Sequence, residues 1–207
     1  MAGRTGLILL AAGASRRMGR TKQLLPIQGE PALVVCLRRI LAGGISEVVV
    51  VVGHHRSSIL PLLADLPVSV ALNAQPESQM ADSVQAGLAA LPADVTGILV
   101  GLADHPLVLP ATYSLLRRQH ELRPDLLVVP TWRGRGGHPT LFPAPMLPPA
   151  PEQKPLNRII AENPGKTMRL AVDDPGVVMD MDYPEDYRRL ASLAAGEVSA
   201  AAGGGTE

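Results

Sequence analysis

The length, composition and charge of the chain exclude several classes of protein before any motif is considered. It has 207 residues, of which 46% are hydrophobic, and this size fits one α/β domain better than two small ones. Lys plus Arg number 19 and Asp plus Glu also number 19, so no overall charge favours nucleic acid or an acidic membrane as a partner. Cys36 is the only cysteine, which excludes an internal disulfide and a Cys-rich zinc site. No apolar run reaches the length of a membrane span, so we expect a soluble protein of the cytoplasm.

The first half of the chain alternates short β-branched runs with longer helical patterns. Strands are predicted at residues 5–11, 47–53, 68–73 and 96–102, and helices at residues 31–41, 59–66 and 81–91. The second of these strands is apolar at almost every position, which is typical of a strand covered on both faces. The alternation predicts an open, doubly wound α/β sheet of mostly parallel strands, with its site beyond their carboxyl ends.

The second half of the chain is less regular. We predict a helix at residues 110–123, a strand at 125–132, a helix at 156–163, strands at 169–173 and 177–182, and a closing helix at 184–194. Pro and Gly crowd residues 133–155, so this segment is expected to be irregular and to form a lid or an acceptor-binding wall. Residues 195–207 are too poor in apolar side chains to order themselves, which leaves a single domain at residues 1–194.

An apolar run followed by small residues and cations opens the chain. Small residues around Gly13 let backbone N–H groups approach an anion, and Arg17 and Lys22 have the charge to neutralise a triphosphate. The spacing matches neither a P-loop nor a dinucleotide fingerprint. A surface turn with scattered arginines fits the same residues, so this stretch alone does not decide the function.

Two acidic elements follow predicted strands. Asp104 comes directly after the strand at 96–102, where a carboxylate can hold Mg²⁺ against substrate phosphates, or can cap the following turn. Asp180 and Asp182 alternate on the predicted strand at 177–182, so both would point to one face. One of them can reach the Asp104 metal, and Asp182 can also begin the last helix.

Together these stretches resemble the MobA-like nucleotidyltransferase family, and most closely its molybdenum cofactor cytidylyltransferase branch. The resemblance rests on LAAGASRRMG and Lys22, on GLADHP, on Gly137-His138-Pro139 and on DMDYPEDY, and it covers about residues 5–190. It implies a Rossmann-like nucleotidyltransferase that condenses a nucleoside triphosphate with a phosphomonoester and releases pyrophosphate.

The resemblance also implies roles for individual residues. Arg17, Lys22 and Asp104 would be catalytic, Asp104 and Asp182 would hold Mg²⁺, and Gly137 and His138 would bind the acceptor, molybdopterin. The nucleotide would be bound by Leu10, Ala11, Ala12, Gly13, Arg17, Lys22, Asn73 and Ser83. Ala12 stands where guanylyl-transferring relatives carry Gly, which favours CTP over GTP. Read from the sequence alone, His138 is also compatible with an ordinary solvent-facing loop histidine, and His54 and His55 are expected to be loop residues.

The sequence departs from the family at the turn before the third helix. Relatives usually carry Gly-Met-Ser-Ser-Ser there, whereas this chain has Gln79-Met80-Ala81-Asp82-Ser83. Two rival functions stay open: transfer to another acceptor such as a sugar 1-phosphate, and a non-catalytic accessory protein that carries a finished pterin cofactor. A molybdoenzyme or its chaperone is the expected protein partner, and neither nucleic acid nor membrane is expected to bind.

Overall fold

The computed structural model describes residues 3–13, 15, 17–73, 79–149 and 152–203, with side chains described as far as Gly196. Ten strands lie in these ranges: β1 Arg4–Leu10, β2 Pro26–Ile27, β3 Glu30–Pro31, β4 Glu47–Val52, β5 Ser69–Leu72, β6 Val95–Leu102, β7 Leu127–Trp132, β8 Arg135–Gly136, β9 Thr140–Pro143 and β10 Thr167–Ala171. The six α-helices described are α1 Ala32–Ala42, α2 Arg56–Leu63, α3 Met80–Ala90, α4 Pro110–Leu122, α5 Leu156–Glu162 and α6 Pro184–Gly203.

The central sheet is open and mostly parallel, as the sequence predicted. Its strand order is β10-β7-β9-β6-β1-β4-β5, and β8 pairs with β7 outside this path. β1 lies between β4 and β6 and is parallel to both. β9 is antiparallel to its neighbours β6 and β7, and β8 is antiparallel to β7. The short strands β2 and β3 form a separate two-stranded ladder.

Helices cover both faces of the sheet, which explains the apolar runs. In β4, Val48, Val50 and Val52 pack into the cluster that includes Leu33 and Leu37 of α1. Val49 and Val51 of the same strand pack into a second cluster with Val84 of α3 and Ile159 of α5. Because successive side chains of a strand point to opposite faces, a strand between two helical layers must be apolar at every position.

The segment at 133–155 contains a central strand, which corrects the expectation of irregular backbone there. β9 fills the position between β6 and β7, and all four of its residues are buried. Pro139 lies just before the strand and Pro143 is its last residue. Because proline lacks only its own backbone N–H, its position at the two ends leaves the residues between them able to pair with the neighbouring strands. The rest of the segment includes a 3₁₀ turn at Ala144–Met146, and residues 150 and 151 lie outside the described residues.

The strand predicted at residues 177–182 is not formed, which is a second correction. Pro175–Val178 is a 3₁₀ helix, and its start is held by the Asp174 carboxylate, which accepts hydrogen bonds from the Gly176 N–H (2.9 Å) and the Thr112 hydroxyl (2.6 Å). Val177 and Met181 are buried in the core without a sheet partner. Asp180 and Asp182 therefore do not share one face of a strand, contrary to the prediction.

The last helix continues past residue 194, where we predicted that the ordered domain ends. α6 runs to Gly203, and its later part contains Ala200, Ala201 and Ala202, which have high helix propensity. The buried Ala194 also accepts a hydrogen bond from the Gln28 side chain at 2.5 Å. Residues 204–207 lie outside the described residues. Among the described helices, none is both long and apolar enough to cross a membrane.

Candidate active site

The carboxyl ends of β1, β4, β5 and β6 meet at one edge of the sheet. Leu10 of β1 lies opposite Val51 of β4 and Leu102 of β6. The Ala11 N–H continues this pairing with a hydrogen bond of 2.9 Å to the Val51 carbonyl, and the Ala103 N–H bonds the Leu10 carbonyl at 3.1 Å. The glycine loop after β1 and the acidic turn after β6 are therefore neighbours.

Lys22 joins two carboxylates from distant parts of the chain. Its Nζ atom lies 2.5 Å from Oδ2 of Asp104 and 3.1 Å from Oδ1 of Asp182. The Lys22 and Asp104 side chains are only 13% and 15% exposed, so this contact is largely shielded from water, whereas Asp182 is 35% exposed. Asp182 comes from the segment before α6, and its approach to Asp104 brings the two predicted metal ligands together.

Arg17 completes the charged cluster. Its Nη1 atom lies 3.0 Å from Oδ2 of Asp182, and its guanidinium carbon is 5.8 Å from the centre of the Tyr183 ring. The Arg17 side chain is 65% exposed, so it can leave these partners for an incoming anion at little cost. Ala14 and Arg16 of the same loop lie outside the described residues.

The charges in the cluster stabilise one another. Burial acts to lower the pKa of the Lys22 ammonium, but attraction to Asp104 and hydrogen bonds to Asp104 and Asp182 outweigh it, so that pKa lies above its ordinary value. Burial acts to raise the pKa of Asp104, but the nearby charge of His105 and Lys22 outweighs it and leaves that pKa below its ordinary value. Lys22 and Asp104 are therefore both ionised at neutral pH.

Gln23, which was not among the predicted site residues, supports the glycine loop. Its side chain is 1% exposed and donates a hydrogen bond from Nε2 to the Ala11 carbonyl at 3.1 Å. Ser15 donates from its hydroxyl to Oε1 of Gln23 at 3.4 Å and accepts a hydrogen bond from the Lys22 N–H at 3.2 Å. These bonds tie both ends of the loop together. A glutamine beside a lysine looks like surface in a single sequence, so no pattern indicated its burial.

A small cavity of about 160 Å³ opens over the loop. Its described lining residues are Gly13, Ser15, Arg17, Met18, Lys22 and Asp182. A Cβ atom added at Gly13 would meet nothing within 4 Å, so the backbone there is accessible to a ligand. Ala12, in contrast, is packed closely, because a Cβ at Gly53 would lie 2.9 Å from the Ala12 carbonyl oxygen and 3.0 Å from its Cβ.

Asn73, which directly follows β5, contacts Ser83 of α3. Nδ2 of Asn73 donates a hydrogen bond of 2.9 Å to the Ser83 hydroxyl, and both side chains are buried. The altered turn before α3 serves as a helix start: the Gln79 N–H donates to Oδ2 of Asp82 at 2.7 Å, and Gln153 donates to Oδ1 of Asp82 at 2.6 Å. Residues 74–78, which connect Asn73 to Gln79, lie outside the described residues.

Gly137 and His138 pack against the 3₁₀ helix at Pro175–Val178. A Cβ atom at Gly137 would lie 2.0 Å from the Val177 carbonyl oxygen, so only glycine fits there, and the His138 N–H bonds the same oxygen at 2.8 Å. The His138 ring meets the His105 ring edge-on, with centroids 5.4 Å apart. Burial and the charge of His105 lower the pKa of His138 to about 4. His138 is therefore a half-buried neutral imidazole rather than a solvent-facing loop histidine.

The two carboxylates fit a divalent cation. Oδ1 of Asp104 is buried and has no hydrogen-bond partner among the described residues, which leaves one carboxylate oxygen available as a ligand. No group of three or more His, Cys, Asp or Glu side chains in the described ranges is arranged to hold a metal. Mg²⁺ suits such a site, because it commonly takes one or two carboxylates and fills its other positions with phosphate oxygens and water. Asp180 is exposed and lies outside the cluster.

Comparisons with known proteins give the family. Residues 7–162 match the model of the MobA-like NTP transferase domain. Nicotine blue oxidoreductase of Paenarthrobacter nicotinovorans is 32% identical over 68% of this chain and 72% of its own length. Bifunctional protein GlmU of Mycolicibacterium paratuberculosis is 37% identical over 51% of this chain, but the match spans only 23% of the GlmU chain.

Solved structures agree with this assignment. Rv0371c from Mycobacterium tuberculosis H37Rv superposes with a TM-score of 0.80 at 27% identity, covering 93% of this chain and 99% of that one. Its complex with manganese gives a TM-score of 0.76 at 25% identity, over 93% and 100% of the two chains. A nucleotidyl transferase from Methanothermobacter, 21% identical with a TM-score of 0.79 over 93% and 98% of the two chains, shares the fold. The chain therefore belongs to the family of proteins with a MobA-like NTP transferase domain.

Proposed function

We propose that this nucleotidyltransferase-type protein transfers CMP from CTP to the phosphate of molybdopterin in its molybdenum-loaded form and releases pyrophosphate, in a reaction that requires Mg²⁺. The observation that carries the proposal is the cluster of Lys22, Asp104 and Asp182 with Arg17 at the sheet edge, in a chain of the MobA-like NTP transferase family. Cations beside paired carboxylates are what a triphosphate and its metal require.

The residues of the cluster have distinct tasks in this reaction. Arg17 and Lys22 bind the triphosphate at the Gly13 loop, and both exchange a carboxylate partner for phosphate oxygens as the nucleotide arrives. When bound, Mg²⁺ at Asp104 and Asp182 neutralises charge on the phosphates. An oxygen of the acceptor phosphate then forms a bond to the α-phosphorus of CTP, the bond from that phosphorus to the β-phosphate oxygen breaks, and pyrophosphate takes up the electron pair. Lys22 and Arg17 hold the charge of the leaving pyrophosphate.

The choice of CTP rests on Ala12. The Ala12 methyl group lies beside Gly53 and occupies space that a glycine at position 12 would leave open. One methyl contact discriminates by about 1–3 kcal/mol, so we expect a preference for CTP rather than strict exclusion of GTP.

The acceptor and the cellular setting are proposed from the family resemblance. The ring of the half-buried His138 contacts the ring of His105, and Nε2 of His105 lies 3.9 Å from Oδ1 of Asp104. The Gly137-His138 segment therefore offers a wall for the acceptor near Asp104. Cys36 is a free, buried thiol whose pKa burial raises to about 12, which fits a reducing compartment such as the cytoplasm. A molybdoenzyme or its chaperone would receive the product.

A second candidate function comes from one relative. Nicotine blue oxidoreductase is 32% identical to this chain over most of both lengths. By that likeness, the chain would act as an oxidoreductase on an organic substrate. Such a reaction does not need Arg17 and Lys22 beside two carboxylates, which is why nucleotidyl transfer is the first choice.

The deciding experiment measures pyrophosphate. The protein is incubated with Mg²⁺, each of the four ribonucleoside triphosphates and one of three acceptors: molybdenum-loaded molybdopterin, metal-free molybdopterin or glucose 1-phosphate. We expect release with CTP and the molybdenum-loaded acceptor, and none with the Asp104→Asn variant. Release only with glucose 1-phosphate would replace the acceptor. Oxidation of NADH or NADPH by nicotine blue with no pyrophosphate in any mixture would favour the oxidoreductase.

A further inference from the structure

The last strand of the sheet, β5, has a neighbour on one side only among the described residues, because it follows β4 at the end of the strand order. The Asn73 N–H donates a hydrogen bond to the Val52 carbonyl of β4 at 2.9 Å. Since the backbone groups of successive residues in a strand point in opposite directions, those of Val70 and Leu72 point away from β4. We propose that this edge pairs with the same edge of a second copy of the chain across a two-fold axis. The inference does not depend on the proposed function.

The side chains at this edge are apolar and exposed. Val70 and Leu72 are paired with buried valines of β4, so they lie on the face of the sheet that α1 and α2 cover. They are nevertheless 41% and 51% exposed, and Leu60 of α2 is 43% exposed. Natural edge strands are commonly protected by charged residues or proline, and Ser69–Leu72 contains neither. An exposed apolar edge of this kind is typical of a surface that another chain covers.

The strand is complementary to itself when the two-fold axis passes beside Ala71. The two strands are then antiparallel, and Val70 of one copy lies opposite Leu72 of the other. These two residues exchange the backbone hydrogen bonds that point away from β4. Their side chains lie on the same face of the joined sheet, where apolar cross-strand pairs are stabilising. A closed dimer requires such a self-complementary patch.

The exposed face of α2 is needed to complete the contact. A stable interface buries about 1,200 Å² or more in total, which four strand residues on each copy do not supply. α2 connects β4 to β5, so it lies at this end of the sheet. Arg56, Leu60 and Ala64 are exposed and recur every four residues, so they share one face of the helix.

The charges of this segment favour a second copy over a partner of another kind. Between positions 56 and 73 the charged side chains are Arg56, at the first position of α2, and Asp65, just after its end. Both are exposed, and neither forms an ion pair with another described residue. Two copies of α2 related by the axis run antiparallel, so Arg56 of one copy lies at the level of Asp65 of the other. A strongly acidic or basic partner finds no matching net charge on this surface.

The test is sedimentation velocity of the intact protein between about 1 and 100 µM, without nucleotide or metal. We expect a reversible dimer. Val70→Glu and Leu72→Glu should each weaken dimerisation by about tenfold or more, because a carboxylate in the joined sheet loses water without gaining a partner. Leu122→Glu is the matched control, since Leu122 is 71% exposed at the end of α4 and should dimerise as the wild type does.

Charge reversal tests the arrangement of the two copies. Arg56→Asp and Asp65→Arg each put like charges at the same level and should weaken the dimer by about threefold to tenfold. The double variant restores both pairs with exchanged signs and should recover most of the wild-type association. Both positions are exposed, so circular dichroism should show a folded protein in all three. A double variant that dimerises no better than the single variants overturns the inference.

Three further results would also overturn the inference. A monomer at every concentration would leave the edge for a different partner. A dimer that Val70→Glu and Leu72→Glu do not weaken would be formed by another surface. Species that grow beyond the dimer with concentration would show a contact that does not close about a two-fold axis.

Discussion

Nζ of Lys22 lies 2.5 Å from Oδ2 of Asp104, in a contact that is largely shielded from water. The same ammonium group is 3.1 Å from Asp182, so it occupies the space between the two carboxylates that would share a divalent cation. In the proposed reaction, phosphate oxygens would compete with these carboxylates for the Lys22 ammonium. A triphosphate that drew Lys22 away would free both carboxylates, so metal binding would be coupled to nucleotide binding.

Lys22→Met should raise metal affinity in the absence of nucleotide while it lowers the use of CTP. The substitution removes the ammonium but keeps an apolar side chain of similar length, so both carboxylates become available to a cation. Electron paramagnetic resonance titration with Mn²⁺ should show at least about tenfold tighter binding than in the wild type without CTP. Lys154→Met, which removes an exposed ion pair with Glu162, is the control. Equal Mn²⁺ affinity of wild type and Lys22→Met would refute the coupling.

Arg17→Ala should lower kcat/KM for CTP by about tenfold or more, because a charge-assisted hydrogen bond contributes about 1.5–3 kcal/mol. The melting temperature should stay close to that of the wild type, since the side chain is 65% exposed. Steady-state pyrophosphate release at limiting and saturating CTP provides the measurement. Arg188→Ala, on the exposed side of α6, should leave both quantities unchanged. An Arg17→Ala protein with wild-type kinetics would remove Arg17 from the phosphate site.

Asp104→Asn and Asp182→Asn should each abolish transfer and weaken Mn²⁺ binding in the presence of CTP, because each removes half of the carboxylate charge of the site. Asp180→Asn is the matched control: it lies two residues from Asp182, is exposed and contributes nothing to the cluster. Its turnover should remain within about twofold of the wild type. An inactive Asp180 variant beside an active Asp182 variant would reverse the assignment.

Ala12→Gly should raise the ratio of kcat/KM for GTP to that for CTP. Removal of one methyl group is worth about 1–3 kcal/mol of discrimination, so the ratio should rise by a factor between about ten and two hundred. Competition between the two labelled nucleotides in one reaction measures it directly. An unchanged ratio would mean that the base is selected elsewhere, and Gln79 at the start of α3 would be the next residue to substitute.

His138 should make folding stability depend on pH below neutrality. Its pKa in the folded protein is about 4, below the ordinary value of 6.5, so between these values the unfolded chain binds more protons than the folded one. Stability is therefore greatest above pH 6.5 and falls as the pH is lowered toward 4, by up to about 3 kcal/mol from this group. Urea unfolding of wild type and His138→Gln between pH 7.5 and pH 5 should give a shallower dependence in the variant. Parallel curves for the two proteins would contradict the assignment of His138 as a neutral, half-buried imidazole.

The parts of the fold that could be predicted are those in which burial produces a clear pattern of apolar residues in the sequence. The valine run of β4 and the apolar end of β6 identify strands because helices cover both faces of the sheet. β9 escaped prediction because a four-residue strand, with a proline just before it and another at its last position, gives too short a pattern. The strand predicted at 177–182 was wrong because apolar residues indicate only that a segment is buried. Pairing in a sheet also requires a partner strand, which the periodicity of the sequence does not reveal.

The candidate site was predicted in part for a related reason. Asp104 follows the end of β6, Asp182 precedes the proline-marked start of α6, and Lys22 follows the glycine loop, so local patterns indicated all three residues. Gln23 and Asp174 act through hydrogen bonds to residues whose positions only the folded chain defines, such as the Ala11 carbonyl and the Leu109 N–H.

The position of β9 also constrains the order in which the sheet forms. β6 and β7 run in the same direction and 24 residues separate them, whereas only seven residues separate β7 from β9. The antiparallel pairing of β7 with β9 therefore closes the shorter loop and is the one that sequence separation favours kinetically. Because β9 lies between β7 and β6 in the sheet, the contact of this end of the sheet with β6 depends on Thr140–Pro143.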